Sequence, residues 1–437
     1  FGPSFLTFVF GRVLCPGTSI SRSLCLCWLR AMSTSTRVGF IIGKEFDYVN
    51  TDDSPVDTAF LSDLPPALRT RPAPRFTWPG MSAPAEDQIS ADMAIAWYVH
   101  KHYPDITVDF ILPNDITLNR LQSNVCNFIV GYDILDAMCE GAVKLAVVTD
   151  AFKMCGNIMP SWEVQEAIYM KSRYMRAAAR LGVPMAPTIF AVRGQREPLS
   201  LLHEVKARGW QQFVTKQSYG FGSAGFQKFS VEECDENPGI LEKYFDVHAE
   251  CPEYVVQEFV EGFCRNWEVR CFWFNGEFKY AVANRAAVSC AEGEKVGVIG
   301  EDEIPPEALE EAKRIGKQAL DALPQLTTPA GQPIGMTLIR TDIGCADSKI
   351  HDKDTHWDPD AKTYFLNEIE YGGTTYFPRV LTFDAIPMWA DMYASKAFEI
   401  QEKMAVFSKA TIDSLQTTAD ITNDSDSYAS ASSVTTE

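Results

Sequence analysis

The first part of the chain alternates short apolar runs with segments of helical spacing. Four of these runs are apolar enough to predict buried strands: Val38–Ile42, Val108–Leu112, Cys126–Val130 and Leu145–Val148. Between the first two runs, residues 87–102 place apolar side chains at helical intervals before Tyr103-Pro104 ends the pattern. Alternating strands and helices predict a small three-layer domain with a mainly parallel sheet over residues 37–160.

From residue 161 the pattern changes to a long helix followed by strands. Ser161 is a predicted N-cap, and the helix is expected to run to Leu181, before Gly182-Val183-Pro184. Asn275-Gly276 between two alternating runs predicts a β-hairpin. Further elements are predicted as strands at 187–192, 212–216, 223–229, 268–274, 277–283, 333–342 and 364–370, and as helices at 199–208 and 307–322. This mixture predicts an α+β domain over 161–410.

The two ends of the chain differ from the rest in composition. Residues 1–36 contain no Asp or Glu, carry Arg12, Arg22 and Arg30, and are rich in Ser, Leu and Phe, which resembles an organelle transit segment. Alternatively, translation starts at Met32 and the residues before it are non-coding. The tail at 411–437 is rich in Ser, Thr and Asp and is expected to be disordered.

Charge and cysteine content narrow the function classes. The formal net charge of -19 argues against non-specific nucleic-acid binding, because a phosphate backbone would be repelled. The sequence has no uninterrupted run of about 18 apolar residues, so it predicts no membrane span. The 12 cysteines include no Cys-x-x-Cys pair and suit reduced thiols in a cytoplasmic protein, with import into an organelle if residues 1–36 are a genuine leader. We therefore expect chemistry on small molecules.

A lysine followed by a glycine-rich loop is the strongest local signal. Gly220, Gly222 and Gly225 match the glycine spacing of dinucleotide-binding loops, but that motif requires a helix to open within it. Here extended runs lie on both sides, at 212–216 and 223–229. The loop is therefore predicted to be a hairpin flap whose backbone N–H groups cover phosphates, with Lys216 at its base.

Two predicted strands carry charged side chains at alternate positions. Arg340 and Asp342 share one face of a strand, and Glu368 and Glu370 share one face of another. If the strands are neighbours, three carboxylates and one guanidinium form a single patch, and hard oxygen ligands of this kind suit Mg²⁺. The alternative is a solvated sheet face with an Arg–Glu pair.

The order of these motifs resembles the ATP-grasp superfamily, and within it the carboxylate–amine ligases similar to D-alanine–D-alanine ligase. The resemblance extends over about residues 38–375 and is strongest from residue 167 onward. It rests on four features in the family's order: Lys171 ahead of Gly182–Pro187, Lys216 with its glycine flap, the segment Val255–Gly262, and Arg340-Thr341-Asp342 followed by Glu368-Ile369-Glu370. The fold it implies is an ATP-grasp fold preceded by the small, mainly parallel α/β domain, with a lid at about 185–260 and an acidic sheet at about 261–400.

The resemblance implies a site for ATP and magnesium. Lys171 and Lys216 would hold the α- and β-phosphates as point charges. The β- and γ-phosphates would be covered by the N–H groups of the flap residues Gly220, Gly222, Ser223 and Gly225. Mg²⁺, with Mn²⁺ as an alternative, would be held by Asp342, Glu368 and Glu370. Arg340, acting with Lys216, would stabilise the transferring phosphoryl group and then the tetrahedral adduct.

The resemblance also implies contacts to the nucleoside. Adenine would lie against the backbone near Glu258 and Val260, with Gln257 at its amino group. Either Glu261 or Glu268 would bind the ribose hydroxyls. At the adenine position, Gln257 replaces an acid that is common in the family.

One further departure concerns the last acidic strand. Glu370 stands where the family usually has Asn, which adds a negative charge beside the implied metal. Asn367 is expected on the opposite face of its strand, because side chains alternate, and so it cannot substitute for the missing Asn.

Together these roles imply an ATP- and Mg²⁺-dependent ligase. A substrate carboxylate would attack the γ-phosphate to form an acyl phosphate, which an amine would then attack. The expected partners are a small-molecule carboxylate and an amine, and a homodimer is left open. Two alternatives keep the ATP site: a kinase that phosphorylates a small molecule, and a non-catalytic ATP-binding protein.

Overall fold

The computed structural model describes residues 35–43, 47–52, 54–69, 87–194, 197–219, 225–249, 251–284, 297–324, 326–327, 333–334, 336–346, 363–371 and 376–404. These residues contain a parallel sheet, a four-stranded antiparallel sheet, a five-stranded antiparallel sheet and a two-stranded ribbon. The predicted leader and tail lie outside the described residues, apart from Ser35 and Thr36. Within the described part, no helix is long and apolar enough to cross a membrane.

The first sheet is parallel and has the strand order β2-β1-β3-β4. Its strands are β1 Thr36–Ile41, β2 Ile106–Ile111, β3 Cys126–Ile129 and β4 Ile158–Met159. The central strands β1 and β3 are buried along nearly their whole length, which is typical of a parallel sheet. The prediction of a small parallel sheet near the start of the chain is therefore confirmed.

The helices of this part correct one predicted strand. They are α1 Pro66–Arg69, α2 Ala91–His102, α3 Leu118–Gln122, α4 Ile134–Glu140 and α5 Ala142–Cys155. The strand predicted at Leu145–Val148 is wrong, since these residues lie within α5. The buried side chains of α5 include Val148, Ala151, Phe152 and Cys155, a spacing that only a helix places on one face. A run of four apolar residues cannot distinguish a strand from a helix by itself.

The long helix predicted from residue 161 to residue 181 is interrupted. Helix α6 covers Trp162–Tyr169 and helix α7 covers Lys171–Arg180. Between them, Met170 forms an antiparallel bridge with Tyr219, and the backbone N–H of Lys171 donates to the carbonyl of Ser218 at 2.8 Å. Pairing with a strand end has replaced the helical hydrogen bonds at this point, so Lys171 begins a helix of its own.

The second sheet, here called the lid sheet, has the strand order β5-β8-β6-β7. Its strands are β5 Thr188–Val192, β6 Gln212–Gln217, β7 Gln227–Ser230 and β8 Glu253–Glu258. The helices α8 Pro198–Arg208, α9 Val231–Glu236 and α10 Gly239–Val247 belong to the same part of the chain. Strands β6 and β7 pair antiparallel, so the glycine-rich segment connects a hairpin, as predicted.

The third sheet, here called the acidic sheet, has the strand order β11-β10-β9-β14-β15. Its strands are β9 Glu268–Phe274, β10 Glu277–Asn284, β11 Val298–Gly300, β14 Leu338–Ala346 and β15 Thr363–Tyr371, and the ribbon consists of β12 Leu326–Thr327 and β13 Pro333–Ile334. Asn275 and Gly276 have positive φ values of 54° and 73°, which confirms the predicted tight hairpin. Helix α11, Pro306–Leu320, packs on this sheet.

A final helix, α12 at 386–404, joins the acidic sheet to the parallel sheet. The ring of Tyr393 lies 5.8 Å from Phe40, 4.9 Å from Phe128 and 5.3 Å from Phe274. Phe40 and Phe128 belong to the parallel sheet and Phe274 to the acidic sheet, and all are buried in one core cluster. Because side chains alternate along β9, Phe274 lies on the same face as Glu268, so the parallel sheet packs against this face of the acidic sheet.

Candidate active site

The two charged strands are direct neighbours. Strands β14 and β15 pair antiparallel, with Arg340 opposite Glu370 and Asp342 opposite Glu368. Residues directly opposite each other in an antiparallel pair have their side chains on the same face. The four charged side chains therefore share one face, as the alternation along each strand predicted.

Arg340 lies at the centre of these charges. It is 4% exposed, its Nε and Nη2 atoms each lie 2.8 Å from an oxygen of Asp342, and it also forms an ion pair with Glu370. Burial lowers the pKa of the guanidinium, but the Asp342 and Glu370 carboxylates outweigh burial and raise it. The result is a fixed cation in a largely water-free position, where its attraction for negative charge is strong.

The two glutamates of β15 have opposite pKa shifts. Burial raises the pKa of Glu370 to about 7, while Arg340 opposes the shift and the charge of Glu368 adds to it. Burial also acts on Glu368, but Lys171 and Lys216 hold the pKa of that carboxylate below its usual value. At neutral pH Glu368 is ionised, whereas Glu370 titrates.

Arg270 is a site residue that the sequence analysis missed. It lies on β9 opposite Asp342, with its Nη2 atom 3.1 Å from Oε2 of Glu268 and its Nε atom 3.7 Å from Oδ2 of Asp342. Burial raises the pKa of Glu268, and Arg270 opposes this shift. Alternation along β9 puts Arg270 on the same face as Glu268, which the resemblance implied, so the two-residue period of this strand could have found Arg270. We call the whole set the charged patch: Glu268, Arg270, Arg340, Asp342, Glu368 and Glu370.

The two lysines predicted to bind phosphates both reach strand β15. The Nζ atom of Lys171 forms an ion pair with Glu368, and the Nζ atom of Lys216 lies 3.3 Å from Oδ1 of Asn367. They come from different elements, since Lys171 begins α7 and Lys216 lies near the end of β6. The structure therefore brings both lysines to the edge of the charged patch.

The predicted orientation of Asn367 is wrong. The register between β14 and β15 shifts between Asp342 and Ile343, so that Asn367 is the extra residue of a β-bulge. Its side chain does not point away from the patch but donates from Nδ2 to Oε1 of Glu268 at 2.8 Å. Simple alternation fails at a bulge, and the amide of Asn367 connects Lys216 to Glu268.

A cleft lies between the lid sheet and β15. Its lining is largely apolar with a few polar groups, which suits a flat aromatic ligand. Of the predicted nucleoside contacts, Gln257, Glu258 and Val260 line the cleft together with Lys216. Glu261 is exposed at the start of a short 3₁₀ helix and is not among the lining residues. The roles of these residues stay predictions.

The glycine loop is described at its C-terminal base. Gly220, Gly222 and Ser223 lie outside the described residues, whereas Gly225 has a left-handed φ of 68°. A Cβ atom at Gly225 would lie 2.8 Å from the side chain of Gln217, and the Gly225 carbonyl accepts a hydrogen bond from the Tyr244 hydroxyl at 2.6 Å. This position therefore favours glycine for its conformation, and a Cβ atom there would also displace the side chain of Gln217.

The first domain contributes Asp47, which the sequence analysis did not single out. Its Oδ2 atom accepts a hydrogen bond from the backbone N–H of Phe377 at 2.7 Å. Burial raises the pKa of Asp47 to about 6, opposed by this hydrogen bond and by the charge of Arg340. The ring of Phe377 lies 5.4 Å from the guanidinium of Arg270, so Asp47 connects the end of the parallel sheet to the charged patch. Asp47 lies outside every predicted strand and helix, so no pattern marks it.

The predicted metal ligands can be compared with the described side chains. Among the described residues, no group of three or more His, Cys, Asp or Glu side chains is placed to hold a metal ion. Mg²⁺ that is bound together with phosphates needs only one or two protein carboxylates. Asp342 and Glu368 are directly opposite each other on adjacent strands, and their hard oxygen donors fit such an ion. The assignment of Asp342, Glu368 and Glu370 as metal ligands stays a prediction.

The parallel sheet, the lid sheet and the acidic sheet with its charged patch together define the ATP-grasp fold, as the order of motifs predicted. Two solved structures that share it are D-cycloserine synthetase DcsG and D-alanyl-alanine synthetase A from Vibrio cholerae O1 biovar eltor strain N16961. The alignment with the first structure has a TM-score of 0.52 and 15% sequence identity, and it covers 83% of this chain and 99% of the synthetase chain. The alignment with the second structure has a TM-score of 0.50 and 12% sequence identity, and it covers 85% of this chain and 100% of the other chain. No family model and no curated protein matches the sequence, so the likeness is one of fold.

Proposed function

We propose that this chain is an ATP-dependent ligase that joins a small-molecule carboxylate to an amine through an acyl phosphate. The observation that carries the proposal is that Lys171, Lys216 and Arg340 meet beside a carboxylate patch at the end of an apolar cleft. Such a cleft suits the base of a nucleotide, and the cations suit its phosphates. Both similar structures are synthetases by name, which supports the same class of reaction here.

In the proposed first step, an oxygen of the substrate carboxylate forms a bond to the γ-phosphorus while the bond from that phosphorus to the β-phosphate oxygen breaks. Charge spreads over the phosphoryl oxygens, and the fixed guanidinium of Arg340 would stabilise it. Lys171 and Lys216 would neutralise the phosphates of the departing ADP. In the second step the amine attacks the acyl carbon, loses a proton and expels phosphate.

Magnesium would be held by Asp342 and Glu368 together with Glu370, and it would supply charge neutralisation on the phosphate oxygens. The carboxylate of Glu370 is only partly ionised at neutral pH, because its pKa is raised to about 7. The extra negative charge at this position therefore varies with pH in the range where the reaction would be assayed.

The proposal is tested by measuring ADP release from the full chain with amino acids and small acids, offered singly and in pairs, and by mass spectrometry of the products. We expect ADP and phosphate only when an acid and an amine are both present, with a product one water lighter than their sum. Lys216→Ala should abolish release. The control is Lys206→Ala, which removes an exposed lysine of α8 that pairs with Asp235.

The products separate the alternatives. A phosphorylated product from a single substrate would identify a kinase. ATP binding without ADP release against the whole panel would identify a non-catalytic ATP-binding protein. Either result contradicts the ligase proposal.

A further inference from the structure

We infer that Thr188 is a specificity-determining residue that orients the side-chain amide of Gln257. In this orientation the amide oxygen is offered to the cleft, where it selects a purine with a 6-amino group over one with a 6-oxo group. The inference rests on the proposed function, because it assumes that the cleft holds the base of a nucleotide. It goes further by naming the residue that decides which base is accepted.

Thr188, Gln257 and Val214 lie side by side on one face of the lid sheet. Thr188 of β5 is opposite Gln257 of β8, and on the other side Gln257 is opposite Val214 of β6. Val214 and Gln257 both line the cleft, so this face of the sheet is the one that a ligand would meet. Gln257 is 4% exposed, which limits the exchange of its hydrogen bonds with water.

The hydroxyl of Thr188 has a single hydrogen, and that hydrogen is already used. Its Oγ1 atom lies 2.6 Å from the carbonyl oxygen of Ala186, and a carbonyl can only accept, so the hydroxyl donates to it. Towards Gln257 the same oxygen can then only accept. The Gln257 atom that lies 3.1 Å from Oγ1 must therefore be the donor nitrogen Nε2.

This assignment determines which end of the Gln257 amide remains for a ligand. Because Nε2 is held by Thr188, the oxygen Oε1 is the free end, and among the described residues it has no hydrogen-bond partner. An exocyclic amino group can donate to this oxygen. A 6-oxo group would instead bring two acceptors together and leave both without a partner, which binding sites reject strongly.

Position 257 carries the amide of Gln257 where related proteins commonly carry a carboxylate, and this difference makes Thr188 necessary. A glutamate presents an oxygen whichever way its side chain turns, whereas an amide can present either O or NH₂ after a half-turn about its last torsion. Removing the Thr188 hydroxyl would free Gln257 to make that half-turn. The amide could then donate to a 6-oxo group, and discrimination between the two bases would fall.

The test compares the dissociation constants of ATP and inosine triphosphate, which carries a 6-oxo group in place of the 6-amino group, by calorimetry on the full chain. Wild type is expected to prefer ATP. Thr188→Val, which is nearly isosteric, should reduce the ratio of the two affinities by about three- to tenfold, the worth of one hydrogen bond. Thr188→Ser keeps the hydroxyl and should restore the ratio, and circular dichroism checks that each variant is folded.

Each outcome is decisive. If wild type binds both nucleotides and Thr188→Val leaves the ratio unchanged, the inference is wrong and the proposed function stands. If wild type binds neither nucleotide, the proposed nucleotide site itself is wrong. In a Gln257→Glu background, Thr188→Val should no longer change the ratio, because a carboxylate needs no orientation. A ratio that still falls there would show that Thr188 does not act through the amide of Gln257.

Discussion

The lid sheet and the acidic sheet form opposite walls of one cleft, yet they hold their functional groups by different means. The lid sheet positions Gln257 through neutral hydrogen bonds, which contribute about 1 kcal/mol each. The acidic sheet holds Arg340 mainly through a two-point ion pair with Asp342 in which both side chains are buried, and loss of one partner of such a pair costs about 3–5 kcal/mol. Under the proposed function, the difference predicts that recognition of the base depends on the lid sheet and that stabilisation of the transferring phosphoryl group depends on the acidic sheet, and substitutions can test this separation.

The largest effect is expected from Arg340→Lys in the acidic sheet. Lysine keeps the charge but cannot reproduce the two parallel contacts to Asp342, so stabilisation of the transferring phosphoryl group is lost. We expect kcat for ADP release to fall by at least about 100-fold, while KM for ATP changes by less than about threefold. The control is Arg314→Lys on the exposed side of α11, which should behave as wild type. If KM for ATP rose by as large a factor as kcat fell, the two sheets would not have the separate roles predicted here.

The next effect concerns stability and pH, and Glu370→Gln is the variant that reveals it. Because the pKa of Glu370 is raised from 4.5 to about 7, the stability that this group contributes is complete below its unfolded pKa and is lost as the pH rises through about 7. Glutamine resembles the protonated form, so the variant should be more stable than wild type near pH 8 and nearly equal near pH 4. We expect a difference of about 2 kcal/mol, reduced from the full shift because the side chain is 33% exposed.

Urea denaturation at each pH measures the free energy of unfolding of these proteins. Glu368→Gln is the matched control. The pKa of Glu368 is lowered, so its contribution to stability is present above the unfolded pKa and is lost as the pH falls through the folded pKa. This variant should therefore be less stable than wild type near pH 8. Two glutamine variants that respond to pH in the same direction would show that the opposite shifts are not real.

A smaller effect is expected where the walls meet, at Asn367. Alanine at this position removes the contacts to Lys216 and to Glu268, and KM for ATP should rise by about three- to tenfold, the loss of one or two hydrogen bonds. Steady-state kinetics at varied ATP concentration measure the change. Asn119→Ala, on the exposed surface of α3, is the control. An unchanged KM would mean that the bulge has no part in nucleotide binding.

The smallest effect is expected at the base of the glycine loop. The hydroxyls of Tyr244 and Tyr254 each donate to a backbone carbonyl at 2.6 Å, to Gly225 and to His248 respectively. Replacing either by Phe should cost about 1 kcal/mol of unfolding free energy. Only Tyr244→Phe loosens the loop base, and only this variant should weaken ATP binding in calorimetry, by about threefold. If the two variants bind ATP with equal affinity, the base of the loop has no part in nucleotide binding.

Much of the charged patch could be predicted from the sequence, because it lies on strands whose side chains alternate without interruption. Arg340 with Asp342 and Glu368 with Glu370 follow directly from this two-residue period, and Arg270 would have followed from the same rule applied to β9. The hairpin at Asn275-Gly276 was also predictable, since few other residues accept positive φ at both turn positions.

The remaining features depend on contacts that are distant in the sequence. The bulge at Asn367 arises from the fit between two strands, and a single strand gives no sign of it. The interruption at Met170 occurs inside a continuous helical pattern, because Tyr219 pairs with the backbone there. The run at Leu145–Val148 was too short to separate strand from helix. Local pattern therefore located the charges, whereas tertiary contacts determined how they meet.

The interruption at Met170 has a mechanical consequence. Helix α7 is attached to the lid sheet through the Lys171 backbone to Ser218, through the paired hydroxyls of Ser172 and Ser218, and through an ion pair between Arg176 and Glu253. These contacts tie the start of α7, with Lys171, to the end of β6, with Lys216, although the two lysines lie far apart in the chain. A displacement of the end of β6 away from β15 would therefore pull on both lysines, and a phosphate chain bound as proposed would lose both cationic contacts together.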